Sequence, residues 1–329
     1  MTSTHIVSGF TVSAVIPMYN GEQFIALAIA SILAQTHPVN EIIVIDDGST
    51  DNGVSIVNDL ANSGAVPIKI YKQSNTGVSG ARNLGLIKSS CDLIAFLDVD
   101  DTWAPTKIET QIAVYKQRND ATLFTFTDYY IDDELEKARK FVNSKNKKFL
   151  ENSYGKKEFQ IAFIQENFVG TASTVIFNRE LALKINGFNI HMNHSEDFDF
   201  ILRYSNYADV VCVNQALATK VFHGDNLTGD LFLHYWSHMF ALQNNIIFNS
   251  KYTRYNYSKD VVNEMRYSYD EYLIRYCNEV FEKSSLNGIK EYFLSISKLK
   301  SGKGAWRFSM AFGRKLLRFI TAGYIKRKW

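Results

Sequence analysis

Residues 92–103, DLIAFLDVDDTW, join a short apolar run to a cluster of acids. An apolar run of this length without polar alternation is typical of a central parallel strand that helices cover on both faces. The acids Asp98, Asp100 and Asp101 would then lie at the carboxyl end of the strand, where open α/β sheets bind ligands. Burying unpaired charges is costly, so the cluster favours a divalent cation as its counter-charge. The alternative is a solvated turn that caps a helix starting near Pro105.

The order strand, loop, helix occurs four times in the first 118 residues. Strand-like runs at 11–17, 41–45, 68–73 and 93–97 each precede a polar loop and a segment with helical periodicity. This alternation predicts a right-handed, Rossmann-like, mostly parallel α/β sheet flanked by helices. Neither GxGxxG nor GxxxxGK[ST] occurs, which removes the best evidence for a dehydrogenase or a P-loop kinase.

Beyond residue 118 the pattern is less regular. It predicts further strands at 123–127, 170–177 and 210–213, a mobile loop within the lysine-rich stretch 132–157, and a helical region, rich in Tyr and Phe, at about 230–300. The three cysteines, Cys91, Cys212 and Cys277, are isolated, so neither a disulfide framework nor a zinc ribbon is expected, and a reducing setting fits. The sequence shows no signal peptide and no run of 18 apolar residues, so no spanning helix is predicted.

Four motifs carry the strongest functional signal. They are VIPMYNGE at 15–22, IIVIDDGSTD at 42–51, SNTGVSGARNLGL at 74–86 and AFLDVDD at 95–101. In this order and at these spacings they resemble the inverting family 2 glycosyltransferases of the GT-A fold, many of which build bacterial surface polysaccharides. The resemblance covers about residues 11–228. It implies a nucleotide-sugar donor, UDP-linked by expectation, from which a hexosyl or N-acetylhexosaminyl group passes to a glycan or lipid-linked acceptor.

The resemblance implies that the first two loops hold the nucleoside. The residues expected to line the base and ribose pocket are Pro17, Tyr19, Glu22 and Asp47. A carboxylate such as Asp47 can accept a hydrogen bond from a base N–H, which gives uracil specificity a mechanism. The alternative is that Asp46 and Asp47 cap the helix that follows them.

The third and fourth motifs are matched to the donor diphosphate and its cation. Asn75 and Arg82 correspond to third-loop residues of the family, and the planar fork of Arg82 suits a diphosphate or ribose contact. Arg82 can instead pair with Asp98. In the family's DxD motif, matched here by Asp98-Val99-Asp100, the first acid orients the ribose and the last binds Mn²⁺ or Mg²⁺, for which oxygen ligands are suited.

Glu196-Asp197 matches the family's ED motif at the start of a helix. There the second acid, Asp197, would be the base that takes the proton of the acceptor hydroxyl as it attacks the anomeric carbon. Asp199 is a weaker candidate, and the alternative for the pair is a helix-start cluster favoured by the macrodipole. His223 resembles a late histidine that often completes the family's metal site. Its surroundings, VFHGDNLTG, depart from the arginine-containing form, so a structural role stays open.

The carboxyl-terminal tail is strongly basic. Residues 298–329 hold ten Lys or Arg and no acid, which leaves 26 basic against 34 acidic residues in the rest of the chain. From 305 to 324 a helical wheel separates apolar and aromatic residues from basic ones, which is typical of a helix that docks on an anionic membrane surface. Packing on the acidic body or on a partner subunit is the alternative. Nucleic-acid binding is not expected, because the remainder of the protein is acidic.

These features predict three regions and one preferred function. The regions are a GT-A nucleotide-sugar-binding and catalytic domain at 1–229, a helical extension at 230–300 and an amphipathic tail helix at 301–329, on a cytoplasmic enzyme associated peripherally with the inner face of the membrane. A sugar-phosphate nucleotidyltransferase is expected to carry a glycine-rich, basic activation loop after its first strand, and VIPMYNGE is not such a loop. A non-catalytic sugar-nucleotide-binding protein is expected to have lost an acid from the DxD or ED motif, and both motifs are intact.

Overall fold

The fold was examined in a computed structural model that describes residues 9–62, 66–133, 136–139, 155–192, 194–221, 231–252 and 255–283. His223 and the whole of the predicted tail helix lie outside these ranges. The chain divides into two compact units, Met1–Asn226 and Leu227–Trp329.

Strands β1 to β9 of the described residues form one mixed sheet in the first unit. They are β1 (Val12–Met18), β2 (Glu41–Asp46), β3 (Ile68–Lys72), β4 (Leu93–Phe96), β5 (Thr102–Trp103), β6 (Phe124–Asp133), β7 (Glu136–Arg139), β8 (Val175–Asn178) and β9 (Val210–Val221). The strand order is β3-β2-β1-β4-β8-β6-β9-β5, with β7 paired to β6. Strands β1 to β4 are all parallel, as predicted, and antiparallel pairs begin where β8 lies beside β4.

Helices flank this sheet. They are α1 (Ile25–Leu33), α2 (Gly53–Ala61), α3 (Gly77–Lys88), α4 (Lys107–Arg118), α5 (Lys156–Gln165), α6 (Arg179–Lys184) and α7 (Glu196–Tyr204). Every residue of β1, β2 and β4 is buried, which explains why their sequences run apolar without alternation. Helix α1 buries Ile25, Ala28, Ile29 and Ile32, the spacing of one helical face.

The irregular part of the sequence differs from prediction at several strand boundaries. β6 continues to Asp133, past the predicted end at residue 127, and β7 lies within the stretch 132–157 for which a mobile loop is predicted. The predicted strand at 170–177 begins only at Val175, because a 3-10 turn, Ala172–Thr174, precedes it and Thr171 accepts a hydrogen bond from the Ser173 amide at its start. β9 extends far beyond the predicted end at residue 213. Its pairing with β6 continues to Val221 across an irregularity near Thr127 and Asp128, which local sequence does not reveal.

The described part of the second unit consists of α8 (Leu231–Tyr252) and α9 (Lys259–Lys283). The Tyr257 hydroxyl donates to Asn245 Oδ1 at 2.7 Å, and the rings of Trp236 and Tyr276 lie 5.9 Å apart, which ties α8 to the residues around α9. Among the helices described, none combines the length and apolar character needed to cross a bilayer.

Candidate active site

The candidate site lies at one edge of the sheet, where β1, β2 and β4 have their carboxyl ends. β1 and β2 end side by side, with Met18 paired to Asp46, and β4 ends on the other side of β1 at Phe96. We call this edge the carboxyl edge. All four motif loops follow these strands or β3, so parallel pairing brings the four loops together.

The first two loops are tied to each other. The Asn20 amide donates to Ser49 Oγ at 3.0 Å, and Asn20 Oδ1 accepts from the Thr50 amide at 2.9 Å. Asn20 adopts a left-handed conformation with φ of 51°, which asparagine tolerates better than most residues. The two loops therefore form a single surface.

The predicted nucleoside residues have different surroundings on this surface. Pro17 is buried within β1 opposite Ile45, whereas Tyr19 is 52% exposed. The Glu22 carboxylate accepts from the Asn52 amide at 2.9 Å, so this acid also fixes the second loop. Tyr19 is therefore the most exposed of the three side chains, and nucleoside contacts by the three stay a prediction.

Asp47 joins the second loop to the start of α3. Its buried carboxylate accepts from the amides of Thr76 and Gly77, both at 2.9 Å, and from Gln73 Nε2 at 2.7 Å. The helix that Asp47 caps is thus α3 rather than the α2 that follows it in sequence. Asn75 is exposed beside this contact, and its Oδ1 accepts from Gly77 at 3.3 Å. The base contact predicted for Asp47 stays a prediction.

Arg82 lies at the centre of the candidate site. Its guanidinium is buried and forms ion pairs with Asp98 at 2.7 Å and with Glu196 at 2.6 Å. It also packs near the rings of Phe96 and Phe188, at 5.9 and 5.4 Å from their centroids. Burial opposes the charge of Arg82, but the two carboxylates outweigh it and raise its pKa. Arg82 thereby connects the DxD turn to the ED helix.

The turn after β4 is held by hydroxyl groups from the segment before β8. Ser173 Oγ donates to Asp101 at 2.6 Å, and Thr171 Oγ1 donates to Asp98 at 3.1 Å. The Val221 amide reaches Asp101 Oδ1 at 3.3 Å. Burial and the charges of Asp98 and of neighbouring Asp100 raise the pKa of Asp101 well above its ordinary value. The sequence-predicted acids are therefore crowded together.

Asp98 and the ED pair respond differently to this crowding. Burial opposes ionisation of Asp98, but Arg82 and Thr171 hold its pKa below the ordinary value. Burial raises the pKa of Glu196 despite the attraction of Arg82. Burial also raises the pKa of Asp197, with the charge of Asp98 acting in the same direction. A carboxylate with a raised pKa is a better proton acceptor, which suits a general base.

The carboxylate of Asp199 is already paired with another side chain. It is buried and forms an ion pair with Arg203 at 2.8 Å on the same helix. The guanidinium of Arg203 also donates to the carbonyls of Ile185 and Gly187, at 3.0 and 2.7 Å. This network secures α7 to the loop before it, so the structure supports a structural role for Asp199.

A family model described as glycosyl transferase family 2 matches residues 13–185, just over half of the chain and all four motifs. The chain belongs to glycosyl transferase family 2. The predicted family is thereby confirmed, and with it the expectation of a glycosyltransferase that uses a nucleotide sugar.

Named relatives agree with this membership. An uncharacterised glycosyltransferase from Nostoc sp. is 39% identical over 105 residues, which cover 32% of this chain and 33% of the relative. The Escherichia coli protein named UDP-Glc:alpha-D-GlcNAc-diphosphoundecaprenol beta-1,3-glucosyltransferase WfgD is 31% identical over 207 residues, which cover 62% of this chain and 74% of that protein. The chain thus spans only about a third of the Nostoc relative's length but most of WfgD.

Similarity to solved structures confirms the predicted GT-A architecture. The mannosyltransferase PcManGT from Pyrobaculum calidifontis, solved with GDP-Man and Mn²⁺, aligns with a TM-score of 0.59 at 14% identity. The alignment covers 98% of this chain and 88% of PcManGT. At this identity the likeness establishes the fold alone.

The oxygen ligands that this glycosyltransferase offers at the site fit a hard divalent cation. Asp100 is half-buried at the acid turn, and the neighbouring acids Asp98 and Asp101 accept hydrogen bonds from hydroxyl groups. Within the described ranges, no group of three or more His, Cys, Asp or Glu is arranged to cage a metal ion. Mg²⁺ commonly binds through one or two carboxylates together with substrate phosphates, so a complete protein cage is not required.

Sequence reasoning missed three polar residues near the acids. Thr171 and Ser173 lie in the strand predicted at 170–177, and the sequence did not indicate that their hydroxyls donate to the acid turn. Lys220 was not singled out, yet its charge lowers the pKa of Asp98 and Asp197. No local motif marks Lys220, because its position depends on pairing between strands far apart in sequence.

Proposed function

We propose that this glycosyltransferase moves a hexosyl or N-acetylhexosaminyl group from a UDP-linked donor to a hydroxyl of a glycan or lipid-linked acceptor, with inversion at the anomeric carbon. The observation that carries the proposal is the pair of ion pairs made by Arg82. Through Asp98 and Glu196 this one buried cation joins the donor-side motif to the acceptor-side motif. The two motifs therefore belong to one reaction centre.

The chemistry follows from the position of Asp197 beside this centre. Its carboxylate accepts from the Phe198 amide at 2.7 Å, which fixes the carboxyl group at the start of α7. As the acceptor oxygen bonds to the anomeric carbon, Asp197 takes the hydroxyl proton. The bond between that carbon and the phosphate oxygen breaks, and its electron pair leaves with the nucleoside diphosphate. A single displacement of this kind inverts the configuration.

Asp100, with Asp98 beside it, is the carboxylate that would hold Mn²⁺ or Mg²⁺. When bound, such a cation neutralises negative charge on the donor diphosphate. Asp98 is fixed by Arg82 and Thr171 and is 27% exposed on its side chain, so one of its faces remains open to a ligand. Pro17, Tyr19, Glu22 and Asp47 would contact the nucleoside, Asn75 would contribute to donor binding from the third loop, and His223 would complete the cation site.

The relatives support a place in cell-surface polysaccharide synthesis. The name of WfgD specifies UDP-Glc and a diphosphoundecaprenol-linked acceptor, and this chain covers most of its length. We extend to this protein the donor class and the lipid-linked acceptor class, but neither the sugar nor the linkage.

A donor screen tests the proposal. Purified protein is mixed with UDP-, GDP- and dTDP-sugars in the presence of Mn²⁺ or Mg²⁺, and thermal stabilisation and nucleoside diphosphate release are measured. We expect one UDP-sugar to stabilise the protein and to release UDP only with a divalent cation. Stabilisation by none of the donors would overturn the proposal, and release of pyrophosphate from a nucleoside triphosphate would favour the nucleotidyltransferase alternative.

We also propose that the basic tail docks the enzyme on the inner face of the membrane, close to a lipid-linked acceptor. The support is the sequence alone, since each basic residue near an anionic surface contributes about 1 kcal/mol. Deleting residues 304–329 should release the protein from anionic vesicles while preserving transfer to a soluble acceptor. A truncated protein that aggregates or loses this transfer would show that the tail belongs to the folded core.

A further inference from the structure

The end of β9 lies next to the acid turn. β5 begins directly after Asp101 and pairs with β9, so that Thr102 lies opposite Thr219. The Val221 amide then donates to Asp101 Oδ1 at 3.3 Å. Lys220 lies between these two contacts, so its backbone is held next to the DxD motif.

The charge of Lys220 acts on both acidic motifs. It lowers the pKa values of Asp98, Asp101 and Asp197, against the effect of burial on each. These effects agree with the position of Lys220 beside the acid turn, since its neighbours Thr219 and Val221 contact β5 and the Asp101 carboxylate. Arg82 also lowers the pKa values of Asp98 and Asp197.

Arg82 and Lys220 differ in the ion pairs that they form within the protein. Arg82 is buried and forms ion pairs with Asp98 and Glu196 at 2.7 and 2.6 Å. Lys220 is half-buried, and within the part of the chain that the structure describes it makes no ion pair within 4.0 Å. Its ammonium can turn toward an incoming anion without breaking a contact of this kind.

We propose that the Lys220 ammonium binds the diphosphate of the donor and stabilises the negative charge that the leaving nucleoside diphosphate gains. This inference rests on the proposed function, because it takes a nucleoside-diphosphate sugar as the ligand. Breaking the bond to the anomeric carbon leaves one additional negative charge on the departing phosphate oxygen. A cation that already contacts the donor diphosphate stabilises this charge as it develops.

The proposal assigns Lys220 a role that differs from that of the divalent cation. The divalent cation would be held by Asp100, in the turn between β4 and β5, whereas Lys220 lies on β9, which pairs with β5. The ammonium is a compact charge on a flexible stem and binds phosphate as a point charge rather than as a fork. Two cations held by different elements would bind the diphosphate more firmly than either one alone.

Calorimetry with UDP and with uridine tests this assignment in the full-length protein with Mg²⁺ present. Lys220→Met should weaken UDP binding about 10-fold, the scale of one charge-assisted hydrogen bond, and leave uridine binding unchanged. Lys220→Arg should restore most of the affinity for UDP. Lys116→Met, a matched change at an exposed position of α4, should leave both affinities unchanged.

Several outcomes would overturn the inference. UDP affinity that is unchanged in Lys220→Met would exclude the phosphate contact, and equal weakening of UDP and uridine would show a distorted pocket instead. Lys220→Gln serves the same comparison where circular dichroism shows that the methionine variant is unfolded. Wild-type protein that binds neither UDP nor GDP would contradict the proposed function itself, and the inference would fall with it.

Discussion

Glu41 at one edge of the sheet and three acids at the other edge are buried in opposite surroundings. At the edge that holds the amino ends of β1, β2 and β4, the buried carboxylate of Glu41 accepts from Ser13 Oγ at 2.8 Å, from the Ser90 amide at 2.7 Å and from Lys69 Nζ at 2.9 Å. Although burial opposes it, these donors lower the pKa of Glu41 to about 2. At the carboxyl edge, burial raises the pKa values of Asp101, Glu196 and Asp197.

The difference indicates how each edge is used. A carboxylate surrounded by donors is stabilised as an anion and has little tendency to take a proton. Carboxylates that are crowded together and desolvated take protons or cations more readily, as a reaction centre requires. Residue type alone does not separate the two edges, because both contain acids that follow or begin apolar strands.

The largest effect should come from Asp197→Asn. The amide keeps the shape of the carboxylate but cannot take the acceptor proton, so transfer should slow at least about 100-fold while UDP binding stays as in wild type. Steady-state transfer and calorimetry measure the two quantities.

The matched control is Asp199→Asn, two residues along the same helix. Because Asp199 pairs with Arg203, this change should lower the free energy of unfolding and retain the chemical step in the folded protein. Unimpaired turnover of Asp197→Asn would remove Asp197 as the base and would weaken the contrast between the two edges.

Glu41→Gln should show the opposite behaviour. We expect the free energy of unfolding to fall by about 2 kcal/mol at neutral pH, since hydrogen bonds to a buried anion are lost, while turnover of the folded protein is unchanged. Chemical denaturation measures the loss. Lys69→Met should cost less, because Lys69 is 48% exposed on its side chain.

The pH dependence of the Glu41 effect has a definite sign. The folded pKa of about 2 lies below the ordinary value of 4.5, so Glu41 contributes its full stability above about pH 4.5. The difference between wild type and Glu41→Gln should shrink as the pH falls from 4.5 toward 2. A difference independent of pH in this range would contradict the ionised state assigned to Glu41.

The loss of transfer activity at low pH provides a smaller but sharper test. The raised pKa of Asp197 means that the base is protonated, and activity is lost, at a pH above the ordinary aspartate value of 3.8. Activity should therefore decline on acidification with a midpoint above pH 3.8. Transfer rates over a pH series test this, with unfolding curves to show that the protein stays folded, and an activity midpoint at or below 3.8 would contradict it.

Much of the fold and part of the site could be predicted from sequence. The apolar runs 41–45 and 93–97 are continuous because β2 and β4 are covered on both faces, and parallel pairing then places the motif loops at one edge. The sequence left Arg82 free to bind phosphate or to pair with Asp98. The structure shows the pair with Asp98 and adds Glu196, which is 114 residues away and reaches Arg82 only through packing of α7 against the sheet.

The residues that sequence did not reveal belong to the antiparallel half of the sheet. Ser173 reaches Asp101 because β8 lies beside β4, although five helices and strands of the described chain lie between these two strands in sequence. Lys220 reaches the acids because β9 continues past the irregularity at Asp128 and pairs with the two residues of β5. Neither position carries a local signal, since register between distant strands decides both.

The most direct test of the central claim, that the carboxyl edge binds a nucleoside diphosphate with a divalent cation, is calorimetric titration of UDP with and without Mn²⁺. Mn²⁺ should tighten UDP binding by the wild-type protein. Asp100→Asn should reduce this gain in affinity at least about 10-fold, since mutation of residues that only contact the metal ligands already costs this much. Asp92→Asn, at the amino end of the same strand, should retain the full gain, because the Asp92 carboxylate accepts from the amide and the hydroxyl of Thr11, before β1, and lies away from the carboxyl edge. Equal Mn²⁺-dependent binding by wild type and Asp100→Asn would contradict the account.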